Sequence, residues 1–510
     1  MEFAHASKQQ RLLPDLSGNV VRANSLIGPD YLRGQATFDG PADETDASPA
    51  AFEDLFPDVM RRGGFDAIVG NPPYVRIQGF PGKQVSYLRE HYSAATGSFD
   101  IYVCFVEKAL SLLRKSGGVG YILPNKFFTT DYGEGLRRIL SAERALRAVV
   151  NFGVSQVFKA TTYTCLLFLS KDRSAVVDYA DAVADPNALA HLAWLPKSAD
   201  SFAGEPWDFA DDDSKDLLRK AATSGVRLLD LPASMSRGSS TGADDVFIVP
   251  HSADLEPGVL RTPVFAADFS RYAFEPTGEW RVIFPYEVYA SGAEVFSEGQ
   301  LRQRAPKVFS YLREHQAALK KRKQFREVHG FSAPRNLALH DRAAIAVPLL
   351  ANGGLCALIP SEMHGTLCPM ASGGFTIALG DGAPVSAEYV VGLLNSKLLY
   401  WMLMRTSNVF RGGWLTCTKQ YFGELPIKLP LESEEVEVVR LVRDAVSARR
   451  KLRASRSDRD KDTHQRRCTS IDRELDECVY RLYALTPAEV ALVERAVDVR
   501  GTPDDRASES

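Results

Sequence analysis

The sequence predicts an α/β protein: an open sheet near the front of the chain, a mixed β-rich region behind it, and helices at the close. Three observations carry that expectation. From residue 64 to about 171, strand-like apolar runs alternate with helix-like segments, the βαβ pattern of a layered sheet. From about 236 to 430, short apolar runs alternate with Gly, Pro and polar clusters. Beyond "LPIKLPLESEE" the periodicity turns helical. At ~100–200 residues per domain, 510 residues make room for roughly three domains.

Each element follows from its local pattern. "FDAIVG" (65–70) is a short apolar run, expected as a buried parallel strand. "DIYVCFVEKALSLLR" (100–114) sets Ile101, Phe105, Ala109 and Leu112 on one helical face, with Asp100 placed to cap it. Two glycines end that helix, and "VGYILP" (119–124) reads as the next buried strand. "GEGLRRILSAE" follows as a helix, then "LRAVVNFG" and "TYTCLLFLS" as two further strands. The expected sheet region is therefore 1–172. From 173 to 235 the pattern loosens into a connection or insertion, with "DDDSKDLL" starting a short helix. Residues 236–430 form the β-rich domain and 431–497 a helical region. There Ser433 is the expected cap, and Glu434 and Glu435 suit a helix N-terminus. Ile471, Leu475, Val479 and Leu482 share one face. "TPAE" (486–489) is a capping box with Pro at the first helical position. Residues 498–510 read as a disordered tail.

Composition narrows the class. Hydrophobic residues at 45% and charged residues at 25% are ordinary for a globular protein. No apolar stretch is long enough to span a bilayer, and the N-terminus has no signal-peptide core, so a cytoplasmic location is expected. Seven cysteines contain no C-x-x-C pair, which argues against a zinc site or a disulfide framework, and no metal is expected. Cys104 and Cys165 lie in apolar runs and read as small core residues. The net charge of −3 is unevenly spread: 42–58 is acidic, while "LKKRKQFR" (319–326) and "RRKLRASRSDRDK" (449–461) are basic.

The chemistry concentrates where the first strand ends, at Asn71-Pro72-Pro73-Tyr74. Ligands of open α/β sheets bind beyond the carboxyl ends of the strands. Each proline pushes its predecessor toward an extended conformation, so this turn is stiff. Pro72 keeps a carbonyl acceptor and Asn71 adds a side-chain carbonyl. Two fixed acceptors side by side suit a planar NH2 group, and Tyr74 offers a face for a ring that carries it. An aromatic amine such as adenine N6 is a poor nucleophile because its lone pair is delocalised. Accepting both N–H bonds localises that pair, so attack on an activated methyl group needs no strong base. The base must first leave the duplex stack. A rigid turn without chemistry is the competing account.

These residues resemble the adenine-specific DNA methyltransferases of restriction–modification systems. "GFDAIVGNPPYV" looks like the family's catalytic motif, and "FDIYVCFVEKALSLLRKSGGVGYILPNKFF" like the segment after it. "SQVFKATTYTCLLFLSK" looks like a later motif, and "GNVVRANSLIG" like the segment that touches the cofactor's adenine. The resemblance implies a Rossmann-like methyltransferase sheet, here partial and lacking its first strands, that uses S-adenosyl-L-methionine. It implies that Asn71 and Pro72 bind the target NH2 within the Asn71-Pro72-Pro73-Tyr74 turn, and that Tyr74 stacks on the base. Phe158 matches a second stacking aromatic, or is a core residue at a strand edge, with Tyr163 as the fallback. Phe105 matches a residue packed on the cofactor's adenine, or is plain core. Asn24 would accept from the cofactor's amino group, and Ser25 would contribute its backbone.

The second half resembles a TaqI-type specificity (target-recognition) domain, through "RGSSTGADDVFIV", "VVGLLNSKLLYWML" and "RGGWLTCTKQYFGELPI". It implies double-stranded DNA as partner. Lys320, Lys321, Arg322, Lys323 and Arg411 are the candidate phosphate contacts.

The family's glycine-rich cofactor turn is not recognisable ahead of Asn71. "GEG" (133–135) and "SGGFTIALGDG" (372–382) are the nearest alternatives. The cofactor site is therefore expected to be incomplete. A second polypeptide would supply the N-terminal cofactor-binding and nuclease parts, or the reading frame is cut, or the chain is a relic that binds DNA without modifying it. Three functions stay open: an adenine N6 DNA methyltransferase, a non-catalytic specificity subunit, and a glutamine methyltransferase, whose amide substrate suits the same turn.

Overall fold

The computed structural model describes residues 19–32 and 48–498, apart from 154, 156, 159–161, 184, 204–205, 208, 210, 269–270, 354–355 and 408–413. Most of the tail expected to be disordered, from residue 499, lies outside the described residues. The chain divides into two compact units, residues 1–210 and 211–510. No described helix is long and apolar enough to cross a membrane.

The first unit is built on one six-stranded sheet. Its strands are β1 (Phe65–Gly70), β2 (Leu113–Pro124), β3 (Leu146–Asn151), β4 (Thr164–Ser170), β5 (Val176–Asp181) and β6 (Leu195–Ser198), in the order β1-β2-β4-β3-β5-β6. β1 and β2 are parallel, as are β3 and β5. β4 runs antiparallel between β2 and β3. The carboxyl ends of β1, β2, β3 and β5 therefore share one end of the sheet. Helices α1 (Gly82–His91) and α2 (Tyr102–Leu112) lie between β1 and β2, and α3 (Glu134–Ala142) between β2 and β3.

Two expectations change here. The stretch 173–235 is more than a connection, because β5 and β6 belong to this sheet and a twelve-residue helix occupies Asp212–Thr223. And β1 is not buried. It is the terminal strand of the sheet, Val69 is 82% exposed, and Asp66 and Ala67 are exposed too. A strand with the composition of a two-faced interior lies at an edge, with one row of backbone groups unpaired within the sheet.

α2 departs from its expectation in the opposite sense. Tyr102, Val103, Cys104, Val106, Ala109, Leu110 and Leu112 are all buried, so the helix is covered on most of its circumference. It begins without a side-chain cap, and Asp100 instead accepts from the Tyr132 hydroxyl. Cys104 and Cys165 are fully buried, as expected.

The second unit combines a four-stranded sheet (248–250, 260–264, 280–283, 367–369) with a five-stranded one (233–237, 272–273, 345–347, 357–358, 375–379). A hairpin joins β7 (Tyr286–Tyr289) to β8 (Gly292–Val295). Helices α4 (Ala387–Leu394) and α5 (Lys397–Thr406) carry one core together with the long helices α6 (Glu432–Ala454), α7 (Asp458–Leu482) and α8 (Pro487–Asp498). The helical close therefore packs on the β-rich region. Gly392 permits the contact: a Cβ there would lie 2.6 Å from Val438. Ile471, Leu475, Val479 and Leu482 are buried along one face of α7. The "TPAE" box forms, with Thr486 and Glu489 exchanging hydrogen bonds. Ser433 is not the cap: α6 starts one residue earlier, and Glu434 accepts from the Leu431 amide at 2.7 Å.

Candidate active site

Asn71-Pro72-Pro73-Tyr74 leaves the carboxyl end of β1, as the sequence led us to expect. Gly70 just before it packs closely on the paired strand: a Cβ there would lie 3.1 Å from the Tyr121 ring. Asn71 and Pro73 are exposed and Pro72 is buried. The Asn71 amide makes no hydrogen bond with a described residue. Tyr74 is half-buried. Its hydroxyl donates to the Ile122 carbonyl at 3.1 Å and its ring meets Tyr102 edge-on. Burial pushes its phenol up to about 12, so it stays neutral.

The same end of the sheet holds a polar network that the sequence reading missed. Asn125, just after β2, donates to Asn151 Oδ1 at 3.0 Å, and Asn151 Oδ1 also accepts from the Gly153 amide. Asn151 Nδ2 reaches Tyr179 and Asp181 at the end of β5. These bonds anchor the root of the β3–β4 loop. Phe158 is half-buried within that loop, while Tyr163 is buried at its far root, where its carbonyl accepts from the Asn125 amide at 3.1 Å. The only sequence signal was three polar residues each closing an apolar run. Their convergence needs the strand order.

Ser25, Phe105, Asn71, Pro72 and Pro73 all line one cavity of about 510 Å³, beside Phe52, Phe56 and Phe65. Phe105 is the half-buried aromatic of a mostly buried helix. Lys108 is the one charged residue among those lining the cavity. Apart from Ser25 and Asn71 the walls are otherwise apolar or aromatic, a chemistry suited to a flat heteroaromatic ring. Among the described residues no carboxylate lines it.

Asn24 is placed differently from its expected role. Its Oδ1 accepts from the Leu26 amide at 3.0 Å and the Ile27 amide at 3.2 Å, so both lone pairs shape its own turn. Helix α1 secures that turn. The buried Tyr92 hydroxyl, just past α1, donates to the Leu26 carbonyl at 2.8 Å. Tyr87 accepts from the Gly28 amide at 3.0 Å and donates to Asp30 at 2.9 Å, and His91 Nε2 lies 2.9 Å from the same carboxylate. Burial would raise the Asp30 carboxyl, yet the bonds from Tyr87 and His91 bring it below its usual value.

The glycine alternatives are packing residues. A Cβ at Gly133 would lie 2.2 Å from the Phe127 carbonyl, and one at Gly374 2.2 Å from the Val347 carbonyl.

Of the expected phosphate contacts, Lys320, Lys321 and Lys323 are exposed, and Arg411 lies outside the described residues. Arg322 is a correction. It is 9% exposed, and its guanidinium donates to the carbonyls of Leu319 (2.9 Å), Thr241 (2.8 Å), Gly330 (2.7 Å) and Val328 (2.5 Å). It clamps loops and is not presented to a ligand.

Comparison with known proteins fits this geometry. Residues 21–158 match the model of the Eco57I restriction-modification methylase. Over 473 residues the chain is 25% identical to the Type II restriction enzyme and methyltransferase RM.Eco57I of Escherichia coli, covering 82% of this chain and 44% of that protein. It is 28% identical over 285 residues to the Type II methyltransferase M.BstVI of Geobacillus stearothermophilus, covering 51% and 49%. The chain thus matches less than half the length of either relative. Among solved structures, the Type IIL restriction-modification enzyme MmeI in complex with DNA aligns with a TM-score of 0.54 at 12% identity, over 89% of this chain and 60% of that one. That last likeness speaks for the fold alone. The segment from residue 21 to residue 158 is therefore similar to the Eco57I restriction-modification methylase family.

Proposed function

We propose that the chain carries the catalytic turn and the target-recognition half of an adenine-specific DNA methyltransferase. One observation carries this reading: the Asn71-Pro72-Pro73-Tyr74 turn, at the carboxyl end of β1, rims the same aromatic-walled cavity as Ser25 and Phe105. The relatives' names point the same way, and MmeI, which the fold resembles, was solved with DNA bound. The first unit is then the later part of a Rossmann-like sheet and the second unit the DNA reader.

In this reading the Asn71 side-chain carbonyl and the Pro72 carbonyl accept the two N–H bonds of a flipped adenine's N6. Tyr74, held by Ile122, and Phe158 flank its ring. Fixed acceptors draw the N6 lone pair out of the ring as it attacks, and N6 gains a methyl carbon and sheds one proton to solvent. S-adenosyl-L-methionine supplies the electrophilic methyl group when bound. Phe105 and the Ser25 backbone are the residues here that would hold its adenine. Among the described residues the cavity walls offer no carboxylate for a ribose, so the fit covers that part of the cofactor only.

The open edge of β1 supports a second element in this reading. A further strand, from adjoining sequence or from a second polypeptide, covers Val69 and brings the remaining cofactor contacts.

The test is transfer of labelled methyl from S-adenosyl-L-methionine to duplex DNA. Asn71→Ala is expected to lower the rate by about 100-fold or more, the scale for losing one positioned hydrogen-bonding group, with DNA affinity unchanged. Equal rates in both proteins would remove the turn from the chemistry. Binding of duplex without cofactor binding or transfer would leave a DNA-reading subunit.

A further inference from the structure

The second unit contains a cleft of about 720 Å³. It lies between the tip of the β7–β8 hairpin and the segment 334–342, with Arg227, Glu424 and Lys419 on its rim. The hairpin contributes the small residues Ala290, Ser291, Gly292 and Ala293 from its tip and Tyr286 from β7.

Charge is unevenly spent here. Both carboxylates of the lining, Asp230 and Glu424, are held by Arg227, at 2.6 and 3.2 Å. The exposed side chains of Arg342 and Lys419 make no hydrogen bond or ion pair with a described residue, and the charged residues of the lining leave an excess of one positive charge. Asn336 stands between the cleft walls with φ 43°, a left-handed conformation that a side-chain-bearing residue adopts at a cost. It precedes the short helix Leu337–His340, but its amide caps nothing.

The backbone that presents Asn336 is held from beneath. The buried Arg322 guanidinium ties Val328 and Gly330 to Thr241. The Ser332 amide donates to the Thr241 carbonyl at 3.1 Å, and Ser240 pairs with Ala333. The Tyr286 hydroxyl, from β7, accepts from the Phe331 amide at 2.5 Å. Loop 328–336 is thus a fixed platform. Fixed platforms suit reading, since a side chain on a mobile loop loses its selectivity to its own entropy.

We infer that this cleft seats duplex DNA, with Arg342 and Lys419 on backbone phosphates and Asn336 on a base edge. The inference rests on the DNA-methyltransferase reading above. Cations placed on phosphates set affinity and register, while an amide that offers both donor and acceptor distinguishes one base from another, most readily adenine in the major groove.

The experiment uses the whole chain and fluorescent duplexes of randomised sequence. Binding is followed against salt concentration, and bound duplexes are recovered and sequenced. Arg342→Ala and Lys419→Ala are each expected to reduce the slope of log affinity against log salt by about 1, an affinity loss of about eightfold at ~0.1 M salt. Asn336→Ala is expected to keep the slope and flatten the preference at one position of the recovered sequences. Lys451→Ala, an exposed cation on α6, is the control and should match the wild type. All four sites are exposed, so cooperative melting curves are expected to confirm folding, unchanged except for a small loss in Asn336→Ala from alanine at a left-handed φ. Wild-type slopes in both cation variants, an unchanged sequence preference in Asn336→Ala, or an equal loss in Lys451→Ala overturns the inference and leaves the methyltransferase reading standing. A wild-type chain that binds no duplex overturns both.

Discussion

Arg322→Leu separates two accounts of one basic residue. If Arg322 met a phosphate, its loss would weaken DNA binding and leave folding alone. The structure gives it four carbonyl partners, two aromatic faces (Phe247 and Phe325) and almost no solvent. Burial lowers its pKa from the ordinary arginine value, but it remains charged. Leucine leaves the carbonyls of Gly330 and Val328 without a donor, while that of Thr241 keeps only the Ser332 amide. At ~1–3 kcal/mol for each buried acceptor left unpaired, and with water reaching some of them, the net loss is about 3 kcal/mol. The assay is denaturant unfolding followed for each unit separately, since two compact units need not melt as one. The loss belongs to the unit from Asp211 onward, and Lys321→Ala beside it should cost within ~0.5 kcal/mol. A destabilisation below about 1 kcal/mol for Arg322→Leu would refute the reasoning, because the carbonyls would then have other partners.

Tyr92→Phe removes the hydroxyl bonded to the Leu26 carbonyl and is expected to cost about 1–2 kcal/mol; faster hydrogen exchange at the Leu26 and Ile27 amides would show the turn loosening. Val69→Lys is expected to shift the melting temperature of this chain negligibly, given 82% exposure, yet to weaken any strand pairing along β1; clear destabilisation would mean that the edge is already covered. Asp476 is buried, which raises its carboxyl to about 7 although Arg271 and Lys397 pull the other way. Its unfolded pKa is about 3.9, so between these values the folded chain binds more protons than the unfolded one. Stability from this group is therefore greatest below about pH 4 and declines as pH rises through about 7. Asp476→Asn, which keeps the acceptor for the Lys397 amide, should flatten that decline in a series of unfolding curves.

The place of the Asn71-Pro72-Pro73-Tyr74 turn was legible because its evidence is local. Strand, glycine, asparagine, two prolines and tyrosine are consecutive, and the stiffness of Pro-Pro follows from covalent geometry. Phe105 was half legible: its spacing fits a helix, but only the packing of α2 shows that it is left half-exposed at a cavity while its neighbours are enclosed. Asn24 was misjudged because a side-chain carbonyl spent on its own turn looks, in sequence, like one available to a ligand. The network of Asn125, Asn151 and Asp181 was illegible, since residues 26 to 30 positions apart meet only through the strand order.

Sequence alone determined the alternation of strands and helices, the buried face of α7, the "TPAE" cap and the place of the Asn71-Pro72-Pro73-Tyr74 turn. Each depends on contacts within a few residues, where periodicity and backbone restriction act directly. Tertiary structure decided what depends on distant neighbours. An apolar strand became an exposed edge because no described strand pairs with its outer side. A basic run became one buried clamp and three solvated lysines because carbonyls from positions 241, 328 and 330 converge on Arg322 and on none of its neighbours. Hydrophobicity and charge are properties of a residue, but burial and partnership belong to the fold that surrounds it.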